Sequence, residues 1–314
     1  MRARPALILG ATCLAAALAT TSCNDGEPQG PGAVISAPQS TASGTEGTDG
    51  PLGAARVTLH ASVRVDQALD VEVTYPANAN GTLNRGTTPW PVVVFVQGGL
   101  VPFARYRWIA NHFATRGYVV AMPTHIADLA FFETDNAVLA LRAVQRAAGG
   151  TGTLAGAIAT DSAHRAAAVM GHSLGGVVAV REWIAGSFDA VALFASFPAD
   201  GDPVHSRAGS PVLSLVGDRD VRKSPAQAYL DGILRFDPPR LFARIDGMNH
   251  YQWTDDASPA ELAGDGASTR ATADVRRDAL RIVDLWLDAT LKNDGTARAA
   301  LAATSFPGTT LVQR

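Results

Sequence analysis

The chain has 314 residues, 47% of them hydrophobic and 18% charged, with a formal net charge of −3. That length holds one large domain or two small ones and can bury a core without disulfide staples. The balance excludes wholesale disorder, and a pI near 6.1 excludes the basic excess of a nucleic-acid binder. Only Lys223 and Lys292 are lysines among the 26 basic residues, a bias that reads as genome composition rather than as a phosphate-binding surface.

Met1–Cys23 reads MRARPALILGATCLAAALATTSC. Arg2 and Arg4 give a positive start, and Ala6–Ala19 is an apolar run shorter than the ~20 residues of a membrane span. Small residues follow, which completes the pattern of an export signal. Thr20-Thr21-Ser22-Cys23 resembles a bacterial lipobox, with Thr20 where leucine is usual. The expectation is that residues 1–22 are removed and Cys23 is lipidated, anchoring the protein in a bacterial cell envelope. The alternative is a freely secreted or periplasmic chain. Cys13 leaves with the signal and Cys23 carries the lipid, so no disulfide is expected. Residues 23–55 are rich in Gly, Pro, Ser and Thr without an apolar period and read as a flexible linker. The folded domain is expected over 56–314.

From Arg56 the pattern changes. Arg56–Val65 and Leu69–Tyr75 alternate as half-buried strands do, and their short connection predicts an antiparallel pair. Pro91–Val96, Tyr118–Met122, Arg165–Met170, Asp189–Ala195, Pro211–Val216 and Leu241–Ile245 read as further strands, the last of these closing the sheet. Helical spacing occupies Arg105–Arg116, Asp135–Ala147, Leu174–Ala185, Ser224–Leu234 and a closing helix Ala271–Leu291 striped by Leu280, Val283, Leu287 and Leu291. Strands alternating with helices predict one α/β domain, a mostly parallel sheet covered on both faces. Trp108 and Trp183 lie on helices and are expected in the core.

Gly171-His172-Ser173-Leu174-Gly175-Gly176 carries the chemistry. It fits G-x-S-x-G between a buried strand and an apolar helix, a turn that forces the serine out of the sheet edge. The glycines are needed because side chains there would strike the neighbouring strand and helix. A serine hydroxyl needs a base, and the base an orienting acid. On such a turn they follow in the order serine, acid, histidine. His250, in the loop after Leu241–Ile245, is the expected base; His205 precedes the best acids. Asp220 is the expected acid, with Asp218 the alternative at the same strand end and Asp200 or Asp202 a third option. Two backbone N–H groups should receive an oxyanion, those of Leu174 and Gly99, the latter in Gln97-Gly98-Gly99-Leu100.

Taken together, PVVVFVQGG, FATRGYVVAMP, AVMGHSLGG, SLVGDRD and GMNH resemble an α/β-hydrolase from Arg64 to Leu291. The resemblance is to the branch of dienelactone hydrolases, chlorophyllases, platelet-activating-factor acetylhydrolases and polyester hydrolases. It implies the α/β-hydrolase fold and a serine hydrolase cleaving carboxylic esters through an acyl-enzyme. Gln97-Gly98 stands where many relatives carry His-Gly, which alters the loop's supporting hydrogen bonds. Between Ala195 and Pro211 there is no room for a cap domain, so the site should be open to a small or polymeric ester. Leu100, His125, His172 and Trp253 are pocket candidates; the alternatives are local packing for His172, a solvated loop for His125 and a core anchor for Trp253. Asp255-Asp256 lacks His or Cys at ligand spacing, so neither a metal nor another cofactor is expected. A peptidase or amidase with the same residues, and an inactive binding module, stand as the competing functions.

Overall fold

The structure is a computed structural model that describes residues 36–39, 47–64, 67–86, 89–130, 135–160, 166–303 and 305–313. The expected signal and the lipidated Cys23 lie outside these residues.

Ten strands form one sheet: β1 (Ser36–Gln39), β2 (Gly53–Arg64), β3 (Gln67–Ala77), β4 (Val92–Val96), β5 (Val119–Pro123), β6 (Ala167–His172), β7 (Ala190–Phe194), β8 (Val212–Gly217), β9 (Arg240–Ile245) and β10 (Thr309–Gln313). Their order is β1-β2-β3-β5-β4-β6-β7-β8-β9-β10. From β5 through β9 neighbours run parallel, while β1, β2, β3 and β10 pair antiparallel. The parallel strands read as unbroken apolar runs because both of their faces are covered. In β4, Val92, Val94 and Val96 face one core while Val93 and Phe95 face the other. Helices α1 (Arg107–Thr115), α2 (Asn136–Gly149) and α3 (Leu174–Ile184) follow β4, β5 and β6. The core shared by α2 and α3 holds Leu141, Val144, Val178 and Trp183. The opposite core holds Ile109 and Phe113 of α1.

The chain leaves β4 for β5 on one side of it, and β6 lies on the other. That reversal opens a crevice at the carboxyl ends of β4 and β6, where ligands bind in open α/β sheets. Between β7 and β8 there is one short 3-10 turn, Val204–Arg207, so nothing large is inserted there.

Five expectations need correction. The linker does not extend to residue 55. Ser36–Gln39 pairs with β2, and Gly47 and Gly50 donate their N–H groups to Asp284 Oδ2 (2.8 Å) and Thr115 Oγ1 (2.7 Å). This segment is held by backbone hydrogen bonds, so it shows no apolar period. Leu241–Ile245 is not the last strand, because β10 adds a five-residue edge. The helical stretch Ser224–Leu234 is broken into a single turn α4 (Pro225–Gln227), a π-turn Ala228–Gly232 and a 3-10 turn Ile233–Arg235. Gly232 packs there against Phe197. After a short α5 (Pro259–Ala263), the expected closing helix is α6 (Thr272–Leu291), with all four stripe residues buried, but α7 (Gly295–Ala303) follows it. Trp183 is in the core as expected, whereas Trp108 is half-buried under the Arg276 guanidinium at 3.9 Å.

Candidate active site

Ser173 sits between β6 and α3 with φ 51° and ψ −121°. This is left-handed backbone that a non-glycine residue adopts only when its surroundings impose it. The Ser173 N–H donates to the Phe194 carbonyl at 2.9 Å, and the Ser196 hydroxyl donates to the Ser173 carbonyl at 2.6 Å. The glycines explain how the turn closes. A Cβ on Gly171 would collide with the Gly175 backbone, one on Gly175 with the ends of β4 at Val96 and Gln97, and one on Gly176 with Ser196. The turn therefore wedges the start of α3 between β4 and β7 and sets the positive end of the helix directly after the serine.

Asp220 and His250 come from the ends of β8 and β9. His250 Nδ1 lies 2.8 Å from Asp220 Oδ2, with both residues 3% exposed. The other Asp220 oxygen accepts the N–H groups of Arg222 (2.9 Å) and Lys223 (2.7 Å). Each carboxylate oxygen is thus satisfied, which fixes the carboxylate toward the ring. Asp218 is exposed and its Oδ1 accepts the Gly247 N–H at 2.7 Å. It fastens the loop that carries His250 rather than the histidine itself. Asp202 accepts the Ala199 N–H and faces Arg181, Asp200 is exposed, and His205 meets Asp237 at the surface. None of these three reaches His250.

Ser173, His250, Gly98, Gly99, Leu174 and His172 line one pocket of about 200 Å³, completed by Val101, Arg222 and Tyr251. Two backbone amides and one side chain hold the loop Gln97-Gly98-Gly99-Leu100 beside it. Gly98 donates to the Tyr106 hydroxyl at 3.0 Å, and Leu100 donates to the Asp128 carbonyl at 2.8 Å. The Gln97 side-chain amide donates to Asp128 Oδ1 at 2.9 Å, so Gln97 braces the loop from beneath. The Gly99 N–H has no partner among the described residues, and a Cβ at Gly99 would come within 3.0 Å of Leu174 Cδ2. The amides of Gly99 and Leu174 therefore border one small space, with the first left available to a ligand oxygen.

His172 plays both parts considered for it. It lines the pocket, and its Nδ1 lies 2.8 Å from the Tyr106 hydroxyl. Burial, then the neighbouring His250, push the His172 pKa far below the usual imidazole range, so the ring is neutral. Burial also holds the Tyr106 phenol protonated. The network thus assigns a relay: Gly98 N–H donates to Tyr106, and Tyr106 O–H donates to His172 Nδ1. A Cβ on Gly98 would sit 2.8 Å from the Tyr106 oxygen and 2.9 Å from His172 Nδ1, so only glycine permits it.

The other pocket candidates fall outside this pocket. Trp253 is a core anchor, 1% exposed, with its ring edge against Phe194 at 4.8 Å. Leu100 is 69% exposed on the loop, at φ 60°. His125 is buried, not solvated. Its ring nitrogens have no partner among the described residues, and burial lowers its pKa to about 4. Arg222, Tyr251 and Tyr106 were missed by the sequence reading. The first two flank Asp220 and His250 by two residues and one, but a loop residue's sequence position does not say which way its side chain turns. Among the described residues no three His, Cys, Asp or Glu side chains gather as metal ligands.

A family model described as "Alpha/beta hydrolase family" matches residues 92–276, more than half of the chain. No curated protein sequence matches it.

Proposed function

The chain belongs to the alpha/beta hydrolase family, and from that premise we propose that it is a serine hydrolase of carboxylic esters. The observation that carries this reading is the 2.8 Å His250–Asp220 contact at the wall of the pocket that Ser173 enters from its strained turn.

In this reading Asp220 holds the His250 ring with its proton on Nδ1, which leaves the Nε2 lone pair for the serine proton. Ser173 Oγ attacks the ester carbonyl as that proton moves to His250. The Gly99 and Leu174 N–H groups receive the resulting oxyanion, aided by the partial positive charge at the start of α3. Collapse breaks the bond to the leaving oxygen, which takes the proton back from His250 as the alcohol departs. Water, deprotonated by the same ring, then opens the acyl-enzyme and releases the acid. Tyr106 and His172 hold the Gly98–Gly99 loop at the height this requires.

Within the family, the segments PVVVFVQGG, AVMGHSLGG, SLVGDRD and GMNH, with the short β7–β8 connection, favour the branch of dienelactone hydrolases, chlorophyllases, platelet-activating-factor acetylhydrolases and polyester hydrolases. The Met1–Cys23 pattern supports export, with Cys23 as a lipid anchor to the cell envelope. The test of the chemistry is hydrolysis of 4-nitrophenyl acetate, butyrate and octanoate by the full chain beside Ser173→Ala. Turnover that falls to background in the variant while its circular dichroism is unchanged is the expected result. Turnover that survives Ser173→Ala removes the nucleophile assignment.

A further inference from the structure

The pocket carries one formal charge that the proposed chemistry does not use. Arg222 lines it beside Ser173, His250 and Tyr251, and no carboxylate lines it. The Arg222 guanidinium stands 5.3 Å from the Tyr251 ring centre and lies against the Gly264 backbone. Among the described residues it makes no ion pair.

The acids around it are already engaged. Both Glu261 oxygens bind Arg105 Nη1, at 2.9 and 3.2 Å. Asp265 accepts the N–H groups of Gly266 (2.8 Å) and Tyr251 (3.1 Å), one on each oxygen. Asp220 is committed to His250 and two backbone amides. An arginine whose charge is not taken up by a carboxylate, placed at the rim of a small pocket, is suited to receive an oxyanion. The start of α3 adds to the same positive field. His172, neutral in its relay, adds no charge of its own.

We infer that Arg222 selects esters carrying a second, anionic group, a carboxylate or a phosphate, within reach of the scissile bond. The inference rests on the ester-hydrolase reading and deepens it by naming the charge class of the substrate. Arg222 acts here through its side chain alone; its backbone N–H supports Asp220 whatever residue stands there. Arg222 is an exposed residue, so the attraction is screened by salt.

Mono-4-nitrophenyl adipate and 4-nitrophenyl hexanoate present one acyl length with and without a terminal carboxylate. 3-Carboxyphenyl butyrate and phenyl butyrate do the same on the alcohol side, and 4-nitrophenyl 6-phosphonohexanoate replaces the carboxylate by a phosphate analogue. The expected result is a higher kcat/KM for the anionic member of at least one pair. Arg222→Gln should lower that anionic-to-neutral ratio about tenfold, the size of one exposed charge-assisted hydrogen bond, and Arg222→Lys should keep part of it. In the wild type the ratio should shrink as NaCl rises to 1 M. No anionic preference in any pair, or a ratio unchanged in Arg222→Gln, overturns the inference.

Failure of the underlying reading looks different: neither member of a pair is turned over above Ser173→Ala. The charge is then decided by calorimetric binding of 6-phenylhexanoate against its neutral amide. Tighter binding of the anion that is lost in Arg222→Gln supports Arg222 as the anion receptor of this pocket without the ester chemistry, and equal binding of the two overturns it.

Discussion

His250 meets Asp220 at 2.8 Å, and at the far end of the sheet His112 meets Asp284 at the same distance. All four side chains are buried. The pairs differ in what surrounds them. The His250 ring borders the pocket shared with Ser173. The second nitrogen of His112 is taken by Asp49 at 3.2 Å, and the second oxygen of Asp284 by the Gly47 N–H and Arg116. One pair has an outlet for a proton and the other has none. Burial pulls the His112 pKa down, but the Asp284 charge and the hydrogen bonds to Asp284 and Asp49 outweigh it and raise the value to about 9. That ring is a permanent cation at neutral pH, a fastener rather than a base. A buried histidine–aspartate pair does not by itself make a site; the unoccupied side of the ring does.

The sharpest way to break the comparison is to remove each carboxylate. Asp220→Asn should lower kcat by about 10⁴-fold, the size of losing the orienting acid of a serine triad, with folding retained. Asp218→Asn, which only loosens the Gly247 turn, should cost far less, and the reverse order would exchange the two assignments. Steady-state kinetics with 4-nitrophenyl butyrate separates them.

The closed pair is tested by stability. The folded pKa of His112 lies above its unfolded value near 6.5, so its contribution is fully present below pH 6.5 and is lost as pH rises through about 9. A displacement of that size corresponds to about 3 kcal/mol. Urea melts of His112→Gln should show a deficit of that order at pH 6 that closes above pH 9. A deficit independent of pH would mean that the ring serves by packing alone. The smallest effect is expected at the loop brace. Tyr106→Phe should lower kcat about tenfold with little change in KM, because the supporting hydrogen bonds to Gly98 and His172 are lost and no substrate contact is. A matching rise in KM would place Tyr106 against the substrate instead.

The elbow was legible in the sequence because its constraints are local: Gly171, Gly175 and Gly176 each answer a collision within a few residues of Ser173 or at an adjacent strand end. His250 and Asp220 were legible because each lies in the loop after a strand, in the order that follows the serine. Arg222 and Tyr251 were not, since their side chains meet through the way two loops fold together. The Gly47–Gly50 segment looks like linker in the sequence because its hold is made of backbone amides on Asp284 and Thr115, which leave no trace in side-chain periodicity. Trp253 lies close to His250 in sequence, yet it turns inward onto Phe194. The α7–β10 extension escaped notice because an edge strand of five residues carries too little alternation to stand out.

The Gly47–Asp284 bond also determines where mechanical load enters. The last turn of α1, which carries His112 and Thr115, leads into the start of β5, the end of the sheet opposite the pocket. A pull on the chain ahead of Gly47, once β1 has come away from β2, is therefore met at Asp284 on α6 and Thr115 on α1, held in place by the His112 and Arg116 cations. Such tension runs into these two helices and not into the β4 and β6 loops that border the pocket.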